Sequence, residues 1–349
     1  MHITIVTPGF AANEADTTCI PYLQDYVRSL SRAIGGEHID IVALHYPYTK
    51  TPYQWHHISV HPMNGQNIKW PRKYFFLSRV TQQIKKVSMQ NNTILHAFWL
   101  NDACLTALPV ARKRQIPMLT TAMGQDVLSK NIFLSVLPVS KMHIAVFNAH
   151  MRKEFISHHP CDNMHIIPLA VDVPAFQPVE RDIDILFAGS FTKGKRPALF
   201  VQACIDIMRA YPGIKCVMAG DGPLLDQTQK AIDAQGNHIL CTGKVERSVL
   251  LQLMQRSKVL MHTSEYEGSA TVIEEAVSCG MHVFCFDVGR NENQNIHICN
   301  TLFEMTTAVS QFLQKSADHT PRPSARLEET TQMYIDLYQH ILAIQKGNL

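Results

Sequence analysis

One strand–turn–helix–strand unit constrains the fold of this chain more than any other feature. Residues 258–262 and 282–286 are short apolar runs typical of buried strands, and between them a helix-like run opens with Glu267 and Gly268 and ends at Gly280. Two strands that are joined by a helix in this way are usually parallel strands of one sheet. The turn before the helix then lies at the carboxyl edge of that sheet, where open α/β sheets bind their ligands.

The same alternation of strand-like and helix-like runs covers most of the chain and predicts two doubly wound α/β domains. Strands are predicted near 2–7, 39–44, 55–60, 93–97, 117–121, 142–147, 183–188, 214–219, 238–241, 258–262 and 282–286, and helices near 20–34, 72–88, 101–113, 148–157, 196–211, 222–234, 246–256 and 270–279. A chain of 349 residues is long for a single core. Three prolines, Pro168, Pro174 and Pro178, would interrupt any regular element in residues 168–178. We therefore expect a Rossmann-like domain at 1–172, a second domain at 173–327 across a cleft, and a last helix at 328–349 that packs back toward the first domain.

Composition excludes several classes of protein. Apolar residues make up 46% and charged residues 17%, which is ordinary for a globular chain, and a net charge of +3 is too small to indicate nucleic-acid binding by itself. The strand-like N-terminal run lacks the features of a signal peptide, and no apolar run approaches the ~20 residues that span a bilayer. The nine cysteines are scattered, without a Cys-x-x-Cys pair. We therefore expect reduced thiols and a cytoplasmic protein.

The polar residues at the predicted carboxyl edge suit a ligand that carries both hydroxyls and a diphosphate. The NH groups at a helix start bind phosphate or sugar oxygens, whereas carboxylates repel phosphate and accept hydrogen bonds from hydroxyls. Glu267 and Glu275 supply carboxylates, and residues 193–196 supply a basic cluster at the start of another helix. Glycine turns follow strands at 189, 220–222 and 243, without the Gly-x-Gly-x-x-Gly fingerprint of NAD sites. This combination predicts a nucleotide-sugar site.

Several blocks of the second half resemble the donor domain of retaining GT-B glycosyltransferases of family 4, the group 1 glycosyltransferases. The blocks are 189–195, 219–223, 243–245 and 267–280, and residues 167–178 are similar to the family's interdomain stretch. The resemblance covers most of residues 90–290. It implies the GT-B fold and transfer of a sugar from a UDP- or GDP-linked donor to an acceptor hydroxyl. The acceptor would be a glycan or a lipid-linked molecule in polysaccharide, glycolipid or cell-envelope glycan synthesis.

The resemblance also implies a role for individual residues. Lys195 would neutralise the diphosphate, Glu275 would hold the ribose hydroxyls, and Glu267 would hold the donor sugar and the distal phosphate. Lys195 and Glu267 are the catalytic candidates, whereas Glu274 is expected to be a solvated helix carboxylate. The other residues expected on the donor side are Gly9, Gly189, Lys193, Arg196, Val245, Gly268, Ser269, Ala270 and Thr271.

Two positions depart from the family's pattern. Ser190 stands where the family usually has arginine, so that Lys193 or Arg196 would supply a second positive charge. Met123 stands where many relatives carry a histidine that contacts the donor sugar. The candidates that remain on the acceptor and sugar side are His96, Gly124 and Asp126. A lone histidine at a strand end, such as His96, more often has a structural role than a functional one.

Residues 41–101 contain no aspartate or glutamate, although the stretch is basic. Its basic residues are Lys50, Lys69, Arg72, Lys73, Arg79, Lys85 and Lys86, and Trp70, Tyr74, Phe75 and Phe76 are interleaved with them. Two interpretations follow: residues 69–86 contact an anionic membrane surface, at the inner face of the membrane, or they form a solvated basic face over an ordinary core. Nucleic acid is disfavoured because no nucleic-acid-binding motif accompanies the charge.

We expect retaining transfer without a metal, an organic cofactor or a covalent intermediate. Lys195 and the helix starts would stabilise the departing nucleoside diphosphate. Asp182 and Asp184 form an Asp-x-Asp pattern, but they begin a strand at the opposite edge of the sheet. Two alternatives remain open. One is another GT-B enzyme, such as a nucleotide-sugar 2-epimerase, and the other is a non-catalytic nucleotide- or glycan-binding protein on a decayed transferase fold.

Overall fold

The chain divides into two compact units of α/β structure. A computed structural model describes residues 1–173, 179–236, 238–268, 270–288 and 292–347. The first unit consists of Met1–Leu169 and Ala325–Leu349, and the second of Ala170–Ser324. The predicted fold class, doubly wound α/β, is confirmed in both units.

The first unit contains an eight-stranded sheet in which one edge strand alone, β3, is antiparallel. Its strands are β1 (His2–Gly9), β2 (Ile39–Tyr46), β3 (Tyr53–Trp55), β4 (Ile58–Pro62), β5 (Thr93–Phe98), β6 (Met118–Thr121), β7 (His143–Val146) and β8 (Met164–Ile166), in the order β3-β4-β2-β1-β5-β6-β7-β8. The helices are α1 (Pro21–Ile34), α2 (Arg72–Val87), α3 (Asp102–Arg114) and α4 (Ala149–His158), with 3₁₀ turns at Gly36–His38, Gln125–Val127, Ile132–Ser135 and Val139–Lys141.

One predicted strand of this unit, residues 55–60, is a hairpin instead. Strands β3 and β4 pair antiparallel around His56 and His57, which have φ angles of 45° and 66°. Two successive residues with positive φ form the turn that matches the twist of a tight hairpin. Histidine is an uncommon residue in such a turn, so the sequence pattern did not indicate a turn at these positions.

The second unit contains a six-stranded parallel sheet with the strand order of a Rossmann fold. Its strands are β9 (Ile183–Ala188), β10 (Cys216–Ala219), β11 (Ile239–Gly243), β12 (Ser257–His262), β13 (His282–Cys285) and β14 (Ile296–Ile298), and its helices are α5 (Pro197–Ala210), α6 (Leu225–Asp233), α7 (Arg247–Arg256), α8 (Thr271–Ser278) and α9 (Leu302–Leu313). The order β11-β10-β9-β12-β13-β14 reverses between β9 and β12. The loops that follow these two strands therefore meet at the topological switch point.

Both faces of this second sheet are covered by apolar helices. Along β9, Ile185 and Phe187 pack into one buried cluster, and Leu186 and Ala188 pack into another on the opposite face. Successive side chains of a strand point to opposite faces, so a strand that is covered on both sides becomes a continuous apolar run. This burial fixes the loops at the carboxyl edge on a rigid base.

The last helix, α10 (Leu327–Gln345), belongs to the first unit. Its Tyr334 and Tyr338 side chains are fully buried, and the Tyr338 hydroxyl lies 2.5 Å from the hydroxyl of Tyr26 on α1. Within the described ranges, no helix has the length and apolar character that crossing a membrane would require.

Gly220, at the end of β10, tests how tightly the loops of the second unit pack. A Cβ at this position would lie 1.9 Å from the Gly189 carbonyl oxygen, and its φ is 145°. We expect Gly220→Ala to lower the free energy of unfolding by about 3 kcal/mol, because it adds a backbone clash to the strain of a left-handed conformation. Gly213→Ala is the matched control, since Gly213 has a φ of 96° but no atom within 4 Å of a Cβ. It should cost only about 1–2 kcal/mol in urea denaturation, and equal losses would contradict the close packing.

Candidate active site

The two loops at the switch point of the second sheet are joined by several hydrogen bonds. The Glu265 backbone NH donates to the Gly194 carbonyl at 2.9 Å, and the Thr263 hydroxyl donates to the Lys195 carbonyl at 2.9 Å. The Lys195 ammonium contacts Oε1 of Glu267 directly. The structure thus brings together the two residues that the sequence analysis selected as catalytic candidates, 72 positions apart in the chain.

The electrostatic environment keeps Glu267 ionised. Burial acts to raise its pKa, but the neighbouring His262 and the positive charge of Lys195 overcome that effect and lower the pKa to about 2. A carboxylate that is anionic at neutral pH accepts hydrogen bonds only, which suits sugar hydroxyls. The Lys195 ammonium could instead bind a diphosphate, because the Glu267 carboxylate and a diphosphate are both anions and compete for it.

His262, the last residue of β12, lies beside the Lys195–Glu267 contact. The sequence analysis assigned it only to a strand. It is buried, and its Nε2 lies 3.4 Å from Oε1 of Glu267 without hydrogen-bonding geometry. Burial, followed by the positive charges of Lys195 and Arg196, lowers the pKa of His262, against the opposing effect of Glu267. His262 thus adds a third titratable group to the Lys195–Glu267 contact.

The basic residues of the loop after β9 differ in their exposure and in their contacts. Gly189 has a φ of 152°, and Lys193 is exposed. Arg196 is instead bonded to the loop that follows β12, because its Nε donates to the Thr263 carbonyl at 2.7 Å and its Nη2 to the Ser264 carbonyl at 2.9 Å. The guanidinium of Arg196 thus holds two loops together while it keeps its positive charge beside the site, and its role as the second charge for a diphosphate stays a prediction.

Glu275 forms a buried ion pair with a residue that sequence reasoning missed. Arg247 Nε donates to Glu275 Oε1 at 2.9 Å, and the two side chains are only 10% and 6% exposed. Arg247 Nη2 also donates to the Asp172 carbonyl at 3.3 Å. Arg247 begins α7, two positions after Val245, which packs half-buried against the cluster beneath α7 and α8. The sequence signal that could have identified Arg247 was its position just after the glycine turn at 243–245.

Glu274 departs from its expected role. It is 2% exposed and lies in the first turn of α8, whereas the sequence analysis predicted a solvated carboxylate. Helices α7 and α8 pack on the same face of the sheet, which leaves little of this short helix in contact with solvent. Adjacent glutamates on a helix point about 100° apart, so burial of both requires cover on two sides.

The start of α8 lies directly after Glu267. Gly268 is buried, Ala270 precedes the first helical residue, and Thr271 begins the helix. The first NH groups of a helix have no partner within the helix, and they carry partial positive charge. Ser269, which was expected to take part in donor binding, lies outside the described residues.

One candidate of the first unit, His96, is enclosed in the core. His96 is fully buried, with its Nδ1 2.6 Å from the Tyr338 hydroxyl and its Nε2 2.8 Å from the Thr121 hydroxyl. Burial lowers its pKa to about 3. The proposed sugar-side role of His96 is thus corrected, because both ring nitrogens are used within the core.

Asp126 and two glycines complete the first-unit candidates. Asp126 is buried and accepts hydrogen bonds from the backbone NH groups of Leu100, Met123 and Gly124, at distances from 2.7 to 3.2 Å. It orders the loop in which Gly124 adopts a φ of 148°. Gly9 is buried at the end of β1.

The Asp-x-Asp pattern has charged partners in the structure. Asp182 pairs with Arg256 at 2.6 Å, and Asp184 pairs with Lys258 at 2.7 Å. Among the residues with described positions, no three His, Cys, Asp or Glu side chains cluster in a way that could hold a metal ion.

Sequence comparison identifies related proteins for part of the chain. Residues 172–315 match the family described as Glycosyl transferases group 1. The phosphatidylinositol N-acetylglucosaminyltransferase gpi3 subunit of Schizosaccharomyces pombe is 27% identical over 184 residues, which is 48% of this chain and 40% of that protein. The match thus spans less than half the length of this relative.

Structural comparison covers nearly the whole chain. Anabaena HepE, solved in complex with UDP and glucose, has a TM-score of 0.71 at 14% identity over 99% of this chain and 100% of the other. The sucrose-phosphate synthase of Thermosynechococcus elongatus has a TM-score of 0.71 at 14% identity, covering 99% and 98%. At this identity the likeness shows the fold, which is GT-B. The residues that match the group 1 glycosyltransferase family, 172–315, lie within the second unit.

Proposed function

We propose that this protein is a retaining glycosyltransferase of family 4 that moves a sugar from a UDP- or GDP-linked donor to an acceptor hydroxyl. The observation that carries the proposal is the Lys195–Glu267 contact at the switch point of the group 1 domain. At one position, Lys195 offers a cation for a diphosphate and Glu267 offers a carboxylate for sugar hydroxyls. HepE, which has the same fold, was solved with UDP and glucose, and this supports a donor of that kind.

The proposed mechanism relies on stabilising the leaving group. When the donor binds, Lys195 leaves Glu267 for the diphosphate, and the NH groups at the start of α8 face the distal phosphate. Glu267 then accepts hydrogen bonds from the sugar, and Glu275 accepts them from the ribose. Preorganised charges that stabilise a departing diphosphate are commonly the largest catalytic contribution. Since Lys195 and the helix start supply this stabilisation, we propose transfer without a divalent metal, and EDTA should leave the rate unchanged.

The acceptor is proposed to be a glycan or a lipid-linked molecule. The fission-yeast relative is named as a phosphatidylinositol N-acetylglucosaminyltransferase subunit, and that name supports a lipid-linked acceptor for this chain. We place the reaction in polysaccharide, glycolipid or cell-envelope glycan synthesis.

The test of this function is release of nucleoside diphosphate from a panel of UDP- and GDP-sugars, with and without acceptors. The proposal requires release that depends on an acceptor and an α-linked product from an α-linked donor. Release of an epimerised sugar without any acceptor would instead indicate a 2-epimerase. Nucleotide binding without turnover across the whole panel would indicate a non-catalytic binding protein.

We also propose that the first unit contacts an anionic membrane at its cytoplasmic face. Trp70, Tyr74 and Phe75, at and before the start of α2, are each more than 60% exposed, whereas Phe76 is buried and anchors the helix. Lys73 belongs to α2, and its Nζ lies 5.7 Å from the centre of the Phe133 ring. The segment that contains Phe133 and the exposed Ile132 therefore lies beside α2. Exposed aromatic residues among basic ones suit an anionic bilayer, which attracts each basic residue by about 1 kcal/mol.

Vesicle flotation tests this membrane contact. We expect the protein to float with phosphatidylserine-containing vesicles but not with pure phosphatidylcholine, and to be released by high salt. Replacing Trp70 and Phe75 with serine should weaken binding more than about tenfold, because the apolar area that enters the bilayer is lost. Phe303→Ser is the control, since Phe303 is 81% exposed in the second unit. Equal binding to both kinds of vesicle, or an equal loss in the control, would reject the membrane contact.

A further inference from the structure

The imidazole of His262 is buried beside the Lys195–Glu267 contact, at the end of the central strand β12. Its Nε2 lies 3.4 Å from the same Glu267 oxygen that Lys195 contacts, within ion-pair distance but without the geometry of an ordinary hydrogen bond. The charged groups that face it are Glu267 in its own loop and Lys195 and Arg196 in the loop after β9. Arg196 is bonded to two backbone carbonyls, so Lys195 is the cation that is able to move.

A diphosphate that binds Lys195 changes the surroundings of Glu267. The ammonium exchanges a carboxylate for a more highly charged anion, and Glu267 loses its cation in a poorly solvated position. Nε2 of His262 then faces the same carboxylate oxygen at 3.4 Å. A shift of a few tenths of an ångström would convert the present 3.4 Å separation into a hydrogen bond of ordinary length.

We propose that His262 is a positioning residue that binds the Glu267 carboxylate when a diphosphate draws Lys195 away, and so holds that carboxylate for the hydroxyls of the donor sugar. The inference rests on the proposed function, because it needs a nucleoside diphosphate at Lys195.

The proposal predicts proton uptake when a nucleoside diphosphate binds. In the free protein, burial and the nearby cations lower the pKa of His262, so the ring is neutral near pH 7. In the complex, the ring faces Glu267 without the Lys195 charge, and its pKa rises. A group whose pKa rises on binding takes up a proton in the pH range between its two pKa values, so lower pH favours the complex.

Calorimetry with UDP and GDP tests the proposal on the full chain. Binding is measured near pH 6 in buffers of different ionisation enthalpy, for the wild type, His262→Gln and His262→Phe. The titration of the nucleotide itself is common to all three proteins, so their differences isolate His262. We expect the wild type to take up a larger fraction of a proton than either variant.

The affinities separate positioning from a purely structural role. His262→Gln keeps an NH donor and should bind within about threefold of the wild type, whereas His262→Phe should bind about tenfold more weakly, the value of one lost hydrogen bond. His262→Phe removes a buried polar atom, so its thermal midpoint should not fall. Equal proton uptake in all three proteins, or wild-type affinity in His262→Phe, would overturn the inference alone. Failure of the wild type to bind either nucleotide would overturn the proposed function as well.

Discussion

Lys195→Ala is expected to reduce glycosyl transfer by about 10²–10³-fold, because it removes the cation that faces the departing diphosphate. In the ligand-free protein this ammonium is held by Glu267, at a switch point fixed by two buried strands. The ammonium therefore lies at the donor site before the donor binds and exchanges one anion for another. In Lys195→Ala, water would take its place and stabilise the transition state less well. The measurement is initial-rate kinetics with the donor and acceptor that the panel identifies.

Two further variants make this result specific. Lys195→Arg keeps the charge and should retain part of the rate, although its planar head does not reproduce the point charge of lysine. Lys230→Ala removes an exposed lysine of α6 and should leave the rate unchanged. A rate in Lys195→Ala within a few-fold of that in Lys230→Ala would exclude Lys195 from catalysis.

Glu275→Ala is expected to have the second large effect, on stability as well as on nucleotide binding. The Arg247–Glu275 pair is nearly excluded from solvent, and removing one partner of such a pair typically costs about 3–5 kcal/mol, because the other charge stays buried. The free energy of unfolding from urea denaturation should fall by that amount. Nucleotide binding should weaken independently, since the carboxylate that we assign to the ribose is lost.

The two effects of Glu275 are separable. Glu275→Gln keeps the side-chain volume and a carbonyl acceptor, so it should be less destabilised than Glu275→Ala. Calorimetry below the onset of unfolding then compares UDP with its 2′-deoxy analogue. The wild type should prefer the ribonucleotide, and Glu275→Ala should lose that preference. An unchanged preference in folded Glu275→Ala would remove the ribose role, and unchanged stability would contradict the buried ion pair.

The sequence predicted the fold class and the loops of the second unit because these depend on local patterns. Strands such as β9 and β12 are apolar runs, and Glu267 and Lys195 follow them at the same edge of the sheet. Parallel pairing then brings these two residues together, whatever the details of packing. The region after β13 was predicted less well: β14 is only three residues long, and α9 is apolar on average, with Glu304 as its one charged residue.

The errors at individual residues have one physical origin, which is contact between distant segments. His96 is an internal residue because Tyr338, 242 positions later, covers it. Arg247 and Glu275 meet because α7 and α8 pack side by side on one face of the sheet. The contacts of Arg196 were not predicted either, because two carbonyls of a loop 67 and 68 positions later bind its guanidinium. Spacing along the chain carries no information on such contacts.

The most direct test of the central claim is a crystal structure of the protein with UDP or GDP at saturating concentration. The account predicts a diphosphate oxygen about 3 Å from Lys195 Nζ, with the ribose hydroxyls at Glu275 and the Lys195–Glu267 contact broken. A nucleotide bound elsewhere, or an empty switch point with Lys195 still on Glu267, would contradict it.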